Sequence, residues 1–180
     1  MSVTLERDQA QSGFTLLELL VVLVLLSIFM TMGFGLWAQS ADERRIEQEA
    51  RRLVALINWA RDKSMLGGQD IAISFSQDGY LFLREEATAT GQLEWLPITD
   101  DPQLRPRDIS FQRISIGLYV NEARVPLYAG QSHYEPMLIM TMDGLVTPFV
   151  LRIGRDTAPD PSYSIISLGD GRLRLEQAAP

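Results

Sequence analysis

Glu18 is the only ionisable side chain in the run "QSGFTLLELLVVLVLLSIFM", Gln11–Met30. A carboxylate there could act as a base, as an ion-pair partner or as a helix-start residue. An ionised carboxylate costs about 2.5–3.5 kcal/mol at the centre of a membrane helix and less near the interface, so its position demands compensation. The helix macrodipole with snorkelling to the headgroups is one source, and a nearby positive amine is another. The other reactive types are sparse. The chain has one histidine, His133, and no cysteine, so a Ser-His-Asp relay would have to use that single imidazole, and zinc sites built on thiolates or several imidazoles cannot form. This inventory argues against hydrolase or metalloenzyme chemistry, and no catalytic residue and no cofactor is assigned. His133, beside Tyr134, reads as a surface or hydrogen-bonded loop residue. Asp100 with Asp101, or Asp156 with Asp160, could offer oxygen ligands to calcium, but they lack EF-hand spacing and sit next to prolines, where acids usually solvate a loop; no metal is expected. Trp59 falls in a helical pattern that favours core packing, whereas Trp95 sits in a loop-like stretch and is the better contact candidate.

The elements that must carry these residues follow from periodicity. Of 180 residues, 46% are hydrophobic and 22% charged, enough for one packed domain beside an apolar segment. The net charge of −7 supplies no positive field for phosphate backbones, so nucleic acid is not an expected partner. From Phe14 to Ala38 the polar side chains are Thr15, Glu18, Ser27 and Thr31. At about 1.5 Å per residue such a helix could cross a hydrocarbon core of about 30 Å. A cleavable secretory signal ending at Ala38-Gln39-Ser40 is the rival reading. Its apolar part, Leu19–Leu36, would exceed the usual length of about 7–15 residues, and the N-terminus has no basic region. Residues 14–38 are therefore expected to remain as a transmembrane helix.

Residues 39–66 continue as an amphipathic half, with Ile46, Ala50, Leu53, Val54, Ile57 and Ala60 at helical spacing. Gly67-Gly68 should stop this helix, and Gly33 and Gly35 weaken it inside the span. Residues 67–180 then read as a β-rich globular domain. "IAISF"–Gln77-Asp78-Gly79–"YLFLR", "MLIMTM"–Asp143-Gly144–"LVTPFVLRI" and "YSIISL"–Gly169-Asp170-Gly171–"RLRLE" each have hairpin grammar. Ile109–Val120 offers one or two further strands, and residues 87–107, rich in Pro, Gly and Asp, read as a long variable loop.

The string Gly13-Phe14-Thr15-Leu16-Leu17-Glu18 resembles the class III leader junction of type IV pilins and type II secretion pseudopilins. That resemblance implies a leader peptide of residues 1–13, cleavage between Gly13 and Phe14 by a membrane prepilin peptidase, and N-methylation of Phe14. It also implies that Glu18 is an assembly residue, pairing with the amino terminus of a neighbouring subunit. The implied fold is α+β and pilin-like: a long N-terminal helix, transmembrane then amphipathic, packed on a sandwich-like antiparallel sheet domain. "EARRLVALINWARDKSM" and "MLIMTMDGLVTPFVLRIG" are similar to segments of H-type minor pseudopilins and of type IV pilus relatives of the FimT and FimU kind. A minor pseudopilin would be a single-pass inner-membrane protein with its C-terminal domain in the periplasm, entering the pseudopilus near its tip. Its implied partners are other minor pseudopilins, the major pseudopilin, the prepilin peptidase, the inner-membrane assembly platform and secreted exoproteins, with ATP consumed by a separate motor. The charge pattern departs from this. The leader sets Arg7 against Glu6 and Asp8, and Arg44, Arg45, Arg51 and Arg52 follow the span, so a positive-inside count points the domain to the cytoplasm. The alternatives are a minor pilin of a type IV pilus, or a membrane-anchored periplasmic binding domain.

Overall fold

A computed structural model describes residues 16–87, 91–130, 135–156 and 161–178, with the backbone alone for residues 29–41. One 52-residue helix, α1 (Leu16–Gly67), belongs to two compact units that divide after Ala41. In the first unit the described side chains, Leu16–Ile28, are all exposed. Among the described residues no helix is long and apolar enough to cross a membrane. Much of the expected span, residues 29–38 included, contributes no described side chain.

In the second unit, α1 buries Ile46, Ala50, Leu53, Leu56, Ile57 and Ala60. These recur at three- and four-residue intervals, so one stripe of the helix is removed from water. Gly67 closes α1, and Gly68 takes φ +62°, a left-handed exit that costs glycine little.

Among the described residues ten strands follow: β1 (Ile71–Phe75), β2 (Gly79–Ala87), β3 (Leu93–Pro97), β4 (Arg107–Asp108), β5 (Ile114–Val120), β6 (Ala123–Val125), β7 (Leu138–Met140), β8 (Phe149–Arg155), β9 (Tyr163–Ser167) and β10 (Leu173–Gln177). They form two antiparallel sheets. One runs β3-β2-β1-β7 with β4 beside β2, and the other runs β10-β9-β8-β5-β6. Ile73 and Phe82 of the first sheet and Leu118, Leu151 and Ile165 of the second share a core with Leu53 and Ile57 of α1. The α+β, pilin-like architecture is the one expected.

Three expectations need correction. Residues 87–107 include β3, which pairs Leu83 with Pro97 and Ala87 with Leu93, and the same stretch buries Ile98 and Leu104. Pro97 ends an outermost strand, where a missing N–H costs no ladder bond, so the proline did not exclude a strand. The expected hairpin around Asp143-Gly144 joins different sheets: β7 pairs with β1 and β8 with β5 and β9, and only Met140 bridges Val146. The Thr147 hydroxyl accepts the Ile139 N–H at 2.9 Å, and Pro148 cannot donate, so ladder pairing stops there. Trp59 is 50% exposed rather than packed in the core.

Candidate assembly site

Gly13 and Phe14 lie outside the described residues, as do His133 and Asp160. Glu18 occupies the first turn of α1 and is exposed, as are its apolar neighbours Leu16, Leu17, Leu19 and Leu20. Ser27 donates its hydroxyl to the Val24 carbonyl at 2.7 Å, so that polar group is satisfied within the helix. What remains along Leu16–Ile28 is an apolar surface with one carboxylate near its start. A carboxylate in a first turn faces the positive end of the helix dipole and lies within reach of any amine placed there.

The polar groups of the second unit are tied into the fold. The Tyr80 hydroxyl donates to Glu49 Oε1 at 2.6 Å, with both residues buried. Burial first, and the adjoining carboxylate second, push the phenol well above its ordinary range. Lys63 pairs with Asp101, whose other oxygen accepts the Gln103 and Leu104 N–H groups at 2.7 and 3.4 Å. Burial alone would raise the Asp101 carboxyl; Lys63 and the two amides outweigh it and hold the group below the usual range. Asp100 pairs with Arg84 at 2.9 Å, and this guanidinium keeps its carboxyl low. Both acids of the pair therefore serve the β3–β4 connection. Asp156 is exposed, and its N–H donates to the Arg113 carbonyl at 3.2 Å. No group of three or more metal-ligating side chains occurs among the described residues. A groove of about 770 Å³ beside β1 and β6 is lined by Phe75, Val120, Val125, Tyr128 and Met137, with Glu135 as its one carboxylate. Trp95 folds back onto the sheet against Ala72, Leu81 and Leu83.

Sequence reasoning missed the Glu49–Tyr80 pair. The signal was present, because Glu49 falls three residues after Ile46 and four before Leu53, on the stripe that the helix buries.

The prokaryotic N-terminal methylation motif matches residues 8–34. The motif lies at the start of a chain whose α+β body has the pilin-like fold. Similarity then extends along nearly the whole chain. Type II secretion system protein H of Pseudomonas aeruginosa is 27% identical over 173 residues, covering 94% of this chain and 98% of the relative. The protein of the same name in Escherichia coli K12 is 26% identical, covering 91% and 92%. Among solved structures, the minor pseudopilin EpsH of Vibrio cholerae superposes with a TM-score of 0.62 at 19% identity, over 77% of this chain and 97% of that one. The solution structure of Escherichia coli GspH gives 0.58 at 22% identity, over 76% and 90%. Over nearly its whole length this chain is therefore similar to the type II secretion system H proteins, and its fold is that of the solved minor pseudopilins.

Proposed function

We propose that the chain is a structural subunit of a type II secretion pseudopilus, inserted in the inner membrane by residues 14–38 with its sheet domain in the periplasm. A prepilin peptidase removes residues 1–13, and Phe14 becomes the N-methylated first residue. Near the pseudopilus tip the subunit joins other minor pseudopilins above the major one, after release from the assembly platform, and assists export of folded proteins. It catalyses nothing.

The observation that carries this reading is Glu18, the one ionisable side chain among Gln11–Met30, in the first turn of α1 and inside a methylation motif spanning residues 8–34. Cleavage after Gly13 creates a cationic amine, and a neighbour's amine paired with Glu18 offsets two charges that are each costly in lipid. Glycine at the cut suits a protease that must approach the backbone closely.

The test is the N-terminal sequence and intact mass of the protein from its native membrane, with and without the prepilin peptidase. The expected result is methylated Phe14 only when the peptidase is present. A start at Ala41, or an intact leader in both cases, overturns the reading.

A further inference from the structure

Sulfur enters this chain only as methionine, because cysteine is absent. Four methionine side chains are among those described, and the fold sorts them into two kinds. Met140 is fully buried in β7, and the Met137 sulfur accepts the Phe75 N–H at 3.4 Å. Met65 and Met142 are instead 51% and 61% exposed.

Both exposed thioethers belong to one junction. Met65 is in the last turn of α1, and Met142 is in the turn that links β7 to β8. Ser64 Oγ donates to the Met140 carbonyl at 3.0 Å, and the Met142 N–H donates to the Asp70 carboxylate at 2.9 Å, so the turn is tied to the helix end on both sides. Beyond these ties Gly144 lies on Met65: a Cβ built there would stand 3.0 Å from the Met65 Sδ and 3.4 Å from its Cε. Gly144 has φ +85°, and its lack of a side chain is what leaves room for the sulfur. A second turn, between β9 and β10, continues the stack. A Cβ on Gly171 would overlap the Gly144 carbonyl, and the Arg61 guanidinium donates to the Gly171 carbonyl.

A thioether reacts with an oxidant through a sulfur lone pair, so a sulfur open to solvent reacts before one enclosed in a core or engaged by an N–H donor. The product differs sharply from the reactant. A sulfoxide is polar and carries an added oxygen, and it replaces an apolar contact with one that favours water. We propose that Met65 is an oxidation site whose conversion to the sulfoxide releases the β7–β8 turn from the end of α1, with Met142 oxidised beside it. The oxidant is a hydroperoxide. The Met65 sulfur attacks the terminal peroxide oxygen, and the O–O bond breaks as the S–O bond forms. The proton on the transferred oxygen passes to the leaving oxygen, which departs as water or an alcohol. Sulfur loses two electrons and the peroxide gains them. Methionine sulfoxide reductases reverse the change, so the junction is a reversible site. This chemistry is independent of the proposed pseudopilus role.

The test uses the full chain in detergent, treated with hydrogen peroxide and then mapped by peptide mass. Met65 and Met142 should each gain one oxygen at least about tenfold faster than Met137 and Met140. Release of the turn is read with endoproteinase Asp-N, from the fragment that begins at Asp143. The oxidised chain should yield it about fivefold faster than the untreated one, and repair by the reductases should restore the slow rate. Met65→Leu keeps an apolar side chain of similar volume, and peroxide should leave its cleavage rate unchanged although Met142 is oxidised. Met142→Leu should still show the acceleration. Oxidation of Met65 no faster than that of Met140 overturns the site. Unchanged cleavage once Met65 is oxidised, or equal acceleration in Met65→Leu, overturns the release.

Discussion

The Tyr80 hydroxyl donates a 2.6 Å hydrogen bond to Glu49, joining β2 to α1 inside the shared core. A buried carboxylate that loses a strong donor costs about 1–3 kcal/mol, so Tyr80→Phe should destabilise the domain by that amount at neutral pH. Glu49→Gln, which retains an acceptor, should cost less. The folded-state phenol titrates above its ordinary value near 10, because burial and Glu49 both disfavour the phenolate. Its contribution is therefore fully present below about pH 10 and is lost as pH rises toward the folded value. Chemical denaturation of the full chain in detergent should show stability falling on that alkaline limb, with a shallower fall in Tyr80→Phe. Equal stability of Tyr80→Phe and the parent chain at neutral pH contradicts the assignment.

Asp101 fixes the β3–β4 connection from two directions, through Lys63 on α1 and through the Gln103 and Leu104 amides. Asp101→Asn keeps an acceptor for the amides and removes the charge. Lys63 is 39% exposed, so solvent screens the pair and the expected loss is about 1 kcal/mol. The folded carboxyl titrates below its ordinary value, so this stability is present above about pH 4 and disappears as pH falls through the lower folded value. The gap between parent and Asp101→Asn in urea denaturation should therefore close in acid. A gap that is constant from neutral pH down through the acid range sinks the charge argument.

The legible parts of the fold were those set by local chemistry. Gly67-Gly68 ended α1, the stripe Ile46–Ala60 gave its buried face, and the hairpins β1–β2 and β9–β10 formed around their Asp-Gly turns. What escaped depends on partners distant in the chain. Thr141–Leu145 has turn chemistry, yet β7 joins β1 while β8 joins β5 and β9, because the second sheet offers a longer ladder than the local one. Trp59 matches helical spacing but falls outside the arc that the sheets cover. All five residues of β1 are buried, since Trp95 and Ile139 cover the face opposite the main core, and that removes the alternation a half-buried strand would show. At the candidate assembly site, Glu18 was legible as a lone charge in an apolar run, whereas the turns at the end of α1 required three separate segments to be brought together in space.

Gly171 tests how closely the two turns at that end are fitted. It adopts φ +78°, and a Cβ would overlap the Gly144 carbonyl oxygen. Gly91 has a similar φ of +79° with open space around it. Gly91→Ala should cost only the backbone term, about 1 kcal/mol, while Gly171→Ala adds a steric clash and should cost about 2–3 kcal/mol. Comparable denaturation midpoints for the two variants would mean that the turns relax freely.

On the proposed reading, Glu18 acts at assembly rather than at insertion, and substitution separates the two. Glu18→Ala removes a charge whose transfer into lipid costs about 2.5–3.5 kcal/mol at membrane depth and less near the interface, so membrane insertion should be undiminished. In the pseudopilus the same change leaves a neighbour's amine without its carboxylate, and breaking one side of a buried pair costs about 3–5 kcal/mol. The fraction of membrane-inserted chain that crosslinks to other pilin-class subunits should therefore drop by more than about tenfold, a loss well within that energy. Glu18→Asp keeps the charge on a shorter arm and should fall between the two. Recruitment of Glu18→Ala at the parent level, with Phe14 methylated in both, would leave Glu18 as an interfacial carboxylate with no part in recruitment.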